Sequence, residues 1–419
     1  MISFRLLVIV VSGLILGSQR VLVAGTFARS SVVRSILDRS LAEDAKLTAP
    51  ELIGKYRYPI EIHKVQTTDG YFLEVHRIPN SNGVPVLLMH GITDSSAGWV
   101  LSGPKKGFAY MLADSGYDVW IGNARGNRYS RRHRSLSPRL PMFWNFSFHE
   151  IGTYDLPATI DYIIQNTGYP KIHYIGFSQG TTSFWIMCSQ APEYCNKVIV
   201  MNALAPVAYL GNSKSPLIVA LSRFINQLEV LATLAGIAEF SPTRELLAAS
   251  GAIACNDKAV TQALCANSIF FIVGYNSEQL NMTNLPVLYG HVPAGASTKQ
   301  LLHYGQYVKS GLFHHYDYGR IRNLAVYSQP TPPAYNLSRV TAPVALHYGL
   351  NDWLTVPKDV KRLASELPNV IAFRQIPHPR FTHGDFMFAI DADTLVYRDV
   401  VRIMREAEQK YPISQTKPL

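Results

Sequence analysis

The chain has 419 residues, 47% hydrophobic and 16% charged, which is enough for a large core and for one α/β unit carrying insertions. A formal net charge of +10 favours anionic surfaces, acidic lipids included. The basic residues are spread out, and the densest cluster, Arg131-Arg132-His133-Arg134, is too short to suggest nucleic acid. Four cysteines are too few for a disulfide scaffold, and no Cys/His spacing reads as a metal site.

The N-terminus reads as an export signal. Arg5 precedes an apolar run over residues 6–16, broken by Ser12 and Gly13, with small residues at Gly25 and Ala28 where cleavage would fit. The run is shorter than the ~20 residues a spanning helix needs. This predicts a signal peptide over 1–25 and a lead-in or propeptide over 26–50. Sequons at Asn145, Asn281 and Asn336 agree with a secretory route, extracellular or lysosomal, and mark candidate glycosylation sites.

Residues 61–79 alternate polar and apolar side chains around Thr68-Asp69-Gly70, a hairpin signature. Short apolar runs at 84–89 and 117–121 read as buried strands, and 171–175, 198–201, 344–347 and 370–376 read as further strands. Helical patterns at 154–165 and 181–189 alternate with them. The expectation is a doubly wound, mostly parallel sheet, with core segments at 51–208 and 336–419. Between 209 and 335 the rhythm changes. Leu217, Leu221, Phe224, Leu228 and Leu231 recur at helical spacing, widened by Ile218 and Ile225. Arg223, Asn226, Gln227 and Glu229 interrupt the face, so it is no membrane span. It is either an ordinary core helix or part of a helical cap whose apolar face meets lipid. Insertion between strands that carry catalytic candidates favours the cap.

Gly176-Phe177-Ser178-Gln179-Gly180 is a G-x-S-x-G pentapeptide between a strand and a helix. A nucleophile on so tight a turn needs small residues two positions either side, or strand and helix collide. Serine needs a base and an orienting acid, which in this fold follow in the order Asp, His. Asp352 stands just past the strand at 344–347. The loop after 370–376 offers His378 and His383, and loop position selects His383. The oxyanion donors should be the backbone N–H groups of Gln179 and of Ile92, after the strand at 84–89. Cys255 and Cys265 are close enough in sequence for a local disulfide, whereas Cys188 and Cys195 could be buried free thiols.

The ordered set of motifs resembles the acid lipase family, which contains the gastric and lysosomal acid lipases. The matching stretches are His90-Gly91 with Asp94-Ser95-Ser96, Asn123-Ala124-Arg125-Gly126-Asn127, and Tyr154-Asp155-Leu156-Pro157-Ala158. They continue with residues 176–182, His291-Val292-Pro293-Ala294-Gly295, Asn351-Asp352, and His383-Gly384-Asp385-Phe386. The resemblance implies an α/β-hydrolase core with a mainly helical cap, acting on neutral lipid esters at an interface without a cofactor. It implies a Ser178, Asp352, His383 triad, oxyanion donors at Ile92 and Gln179, and a cap disulfide between Cys255 and Cys265. Three positions depart from the family pattern: Phe177 where His is usual, Gly98 before Trp99, and Ile92 for Leu. They bear on pocket shape rather than on hydrolysis. The rival reading is an inactive lipid-binding protein on the same scaffold, and an intact triad argues against it.

Overall fold

The alternation over 61–79 becomes an antiparallel hairpin, β1 (Glu61–Gln66) with β2 (Tyr71–Ile78), in which Val65 faces Leu73. The turn places Gly70 at φ +102°, a conformation that strains any side chain. The computed structural model describes residues 40–241, 255 and 262–410, so the expected signal segment and most of the lead-in lie outside the described residues. Strands β3 (Pro85–Met89), β4 (Asp118–Ile121), β5 (Arg132–His133), β6 (Ile172–Phe177) and β7 (Val198–Leu204) follow. After an inserted segment containing β8 (Glu239–Phe240) and β9 (Ala296–Ser297) come β10 (Val344–Tyr348) and β11 (Val370–Gln375).

The main sheet runs β1-β2-β4-β3-β6-β7-β10-β11, with β5 beside β2, while β8 and β9 pair separately. From β4 to β11 every pairing is parallel, and only the hairpin edge is antiparallel. Every residue of β3, β4, β6, β7 and β10 is buried, because helices cover both faces and neither face can be polar. Side chains alternate between two cores. Leu87 and Met89 join one with Tyr174 and Met201, and Val86 and Leu88 join the other with Val119 and Ile175.

The covering helices of the core are α1 (Ala49–Lys55), α2 (Phe108–Asp114), α3 (Leu156–Thr167) and α4 (Gln179–Gln190). Gly168, left-handed at φ 70°, ends α3 where the sequence suggests a stop. Between β7 and β10 lie α5 (Pro216–Arg223), α6 (Ile225–Leu234), α7 (Gln262–Val273), α8 (Leu285–His291), α9 (Thr298–Ser310) and α10 (Arg320–Tyr327). Helices α11 (Pro357–Glu366) and α12 (Arg398–Lys410) complete the core.

Two expectations change. The single helical face over 217–231 is broken: α5 and α6 meet at Phe224 with a bend of 74°. Ile225 is the cause. It buries with Leu302 and Tyr316, and Gly305 of α9 lets it in, since a Cβ there would lie 2.3 Å from its Cδ1. Among the described residues no single helix is long and apolar enough to cross a membrane. Cys188 and Cys195 are not free thiols but a disulfide, because the reversal after α4 brings their Cα atoms within 5.7 Å. Cys255 is also disulfide-bonded, while the side chain of Cys265 lies outside the described residues.

Candidate active site

Between β3 and β6 the strand order reverses direction, which opens a crevice at the carboxyl ends of the two strands. Ser178 follows β6 directly, at φ 50°, ψ −113°, a strained conformation for a residue with a side chain. The flanking glycines are needed sterically. A Cβ on Gly176 would lie 2.8 Å from the Gly180 carbonyl carbon, and one on Gly180 would lie 2.3 Å from the Met89 oxygen. The Ser178 N–H donates to Leu204 O at 3.0 Å, fixing the turn to β7.

The Ser178 hydroxyl stands 2.8 Å from His383 Nε2, and His383 Nδ1 stands 2.8 Å from Asp352 Oδ2. All three are buried, Ser178 with 7% of its surface exposed and Asp352 with 1%. Asp352 accepts from the N–H groups of Leu354 and Thr355, each at 2.8 Å, and from the Thr355 hydroxyl. The two N–H groups hold Oδ1, and the hydroxyl meets Oδ2, the oxygen that faces the imidazole. Thr355 is a support that sequence order did not reveal. His378 is not brought to this line; it faces Glu278 at 3.8 Å.

The loop after β3 lies against Ser178, since a Cβ on Gly91 would sit 3.3 Å from Ser178 Cβ. Among the described residues, the backbone N–H groups of Ile92 and Gln179 have no hydrogen-bond partner. His90 shapes this loop. Its Nε2 accepts from Ala124 N–H at 3.1 Å, so Nδ1–H donates to Gly91 O at 2.7 Å. Full burial pushes His90 down to about 4, keeping it neutral in that role. The His291-to-Gly295 motif clamps the other side: Ala294 N–H donates to Thr93 O at 2.5 Å.

Several motif residues acquire partners that spacing does not disclose. Buried Arg125 joins buried Asp155, at 2.8 Å from its Nε, to Asp69 nearer the surface, at 2.9 Å from a terminal nitrogen, in an ion cluster. The cluster ties the β1–β2 turn to the approach of α3. Phe177 packs its ring 5.2 Å from that of His383 and touches the Gly91 position. Gly98 is explained by Asp94, whose Oδ2 would lie 2.2 Å from a Cβ there. The sequons Asn145, Asn281 and Asn336 are all exposed. Among the described residues no group of three or more His, Cys, Asp or Glu side chains is placed to hold a metal ion.

A strained serine at the switch point of a doubly wound sheet defines the α/β-hydrolase class, and residues 84–381 match the model of that fold. Residues 49–103 match the partial α/β-hydrolase lipase region. The chain is 44% identical to Lipase 1 of Drosophila melanogaster, over 89% of this chain and 83% of that one. It is 40% identical to gastric triacylglycerol lipase of Bos taurus and 38% identical to lipase member K of Homo sapiens, each over 87% of this chain and 92% of theirs. The chain belongs to the acid lipase family of α/β-hydrolases. It is a carboxylic ester hydrolase.

Proposed function

We propose that the protein is an exported lipase that cleaves neutral lipid esters, triacylglycerol first among them, through an acyl-enzyme on Ser178. The observation that carries this is the hydrogen-bonded line Ser178–His383–Asp352 beside two unpartnered backbone donors. Ser178 Oγ attacks the ester carbonyl carbon as its proton passes to His383 Nε2. The oxyanion is received by the N–H groups of Ile92 and Gln179, and each such donor is worth about 3 kcal/mol. His383 returns the proton to the departing alcohol. A water, deprotonated by the same nitrogen, then releases the fatty acid and restores the serine. Asp352 holds Nδ1–H and faces the charge that develops on the imidazole.

The substrate class rests on the relatives' names and on the outer face of the insertion. Phe224, between α5 and α6, and Val230, Leu231 and Leu234 on α6 are exposed, with Leu234 at 80%. An apolar face of this kind suits contact with a lipid surface. Exposed sequons and disulfide-bonded cysteines support passage through an oxidising secretory compartment, to an extracellular or lysosomal destination.

Ser178→Ala tests the reading. It should reduce hydrolysis of emulsified triacylglycerol by about 10⁶-fold while thermal unfolding stays near wild type. Residual activity within tenfold of wild type would place the nucleophile elsewhere.

A further inference from the structure

The end of α7 lies across both loops that bear the acid and the base. The Val273 carbonyl accepts from Trp353 N–H at 3.3 Å and from His383 N–H at 3.4 Å. Gly274, at φ +112°, passes so close that a Cβ would sit 2.4 Å from Asn351 O. The Tyr275 carbonyl accepts from Asn351 Nδ2 at 2.8 Å. Asn276, 1% exposed, donates from Nδ2 to Asp385 Oδ2 at 2.7 Å, and that oxygen also accepts from Thr382 N–H at 2.7 Å. One short run thus grips the neighbours of Asp352 on both sides, His383 itself, and the residue before it.

We propose that Val273-Gly274-Tyr275-Asn276 is a clip that sets the Asp352–His383 alignment, with Asn276 as a positioning residue acting through Asp385. The proposal rests on the triad reading above. Asp352 and His383 both stand on loops, and a loop holds catalytic geometry only when outside contacts remove its freedom. An amide donating to a buried carboxylate is a charge-assisted bond, and its loss leaves the carboxylate short of a donor. Phe271 and Ile272, exposed on the preceding turn of α7, make the clip the place where the insertion's outer face joins the catalytic loops.

Asn276→Asp gives a readout that simple loss of packing would not. Two adjacent carboxyl groups share a proton at acid pH, and the protonated one donates where the amide did; both ionise and repel as pH rises. The other charged groups at this place are His378, which acts on Asp385, and Glu278, which pairs with His378 and Arg380. They are unchanged between the proteins compared. Turnover of a water-soluble short-chain ester is measured from pH 4 to 8. The variant should match wild type within about threefold at the acid end and fall roughly 10- to 100-fold at the alkaline end, with KM within about twofold. The exchange Asn276→Asp with Asp385→Asn rebuilds the bond with donor and acceptor reversed, and should restore alkaline turnover to within about threefold of wild type. A profile parallel to wild type, or a loss at every pH that the double exchange leaves in place, would overturn the clip. Hydrolysis surviving Ser178→Ala would instead remove the triad reading beneath it.

Discussion

His378 and His383 share one loop, and their fates diverge through contacts made elsewhere. His383 points between Ser178 and Asp352, whereas His378 turns to Glu278 on the inserted segment. His383→Ala should therefore cost about as much turnover as loss of the serine, ~10⁶-fold, because triad members act as a unit. His378→Ala should stay within about threefold, since its acidic partner Glu278 is solvent-exposed and such a pair is worth about 0–1 kcal/mol. Short-chain ester turnover of the two variants, measured side by side, decides this, and a dead His378 variant would reverse the assignment. Ser178 is legible in the sequence because its constraint is local: two glycines and a strand-to-helix switch. Asp352 and His383 are legible through chain order. Thr355, His90 and Asn276 are not, since each works through a partner whose proximity only folding creates. The Arg125–Asp155–Asp69 cluster is hidden for the same reason, although all three members stand in recognisable motifs.

At the scale of elements, the main-sheet strands and helices α3 and α4 follow the sequence pattern to within a few residues, because burial on both sheet faces writes itself as apolar runs. The inserted segment is less readable. Its leucine periodicity predicts one helix, yet Ile225 packs directly over Gly305 and the chain turns there. The bend moves Leu231 and Leu234 into solvent, at 62% and 80% exposure, where a packed helix would hide them. If α6 meets lipid, those two side chains leave water on binding, worth about 2 kcal/mol together at ~25 cal/mol per Å². The pair Leu231→Ser with Leu234→Ser should then lower hydrolysis of emulsified long-chain esters by about 10- to 30-fold. A monomeric short-chain ester should be cleaved within about twofold of wild type, and stability should shift by less than about 0.5 kcal/mol, as expected for exposed sites. Equal losses on both substrates would remove the interfacial role of α6.

For the molecule as a whole, buried histidines set the response to acid. Burial pushes His90 and His347 down to about 4 and His315 to about 3, against 6.5 for the free side chain. The unfolded chain takes up these protons before the folded one does. The stability tied to these residues is therefore complete above pH 6.5 and drains away as pH falls toward 4 and 3. Asp94 works in the opposite sense. Burial raises it to about 7, so the folded state binds a proton that the unfolded state refuses until about 3.8, and stability is gained as pH drops through that window. The lowered histidines, His149, His173 and His303 together with these three, outnumber the raised carboxyls Asp94, Asp155 and Asp385, and each tenfold in proton affinity is worth about 1.4 kcal/mol. Thermal unfolding should accordingly occur on the order of 5 °C lower at pH 4.5 than at pH 7. Asp94→Asn removes one opposing group and should steepen that fall. His315→Phe keeps a ring stacked on Tyr335, where the imidazole lies 4.4 Å away, and should make the fall shallower. A melting temperature that rises steadily on acidification, or slopes indifferent to both substitutions, would show that other groups govern stability in acid.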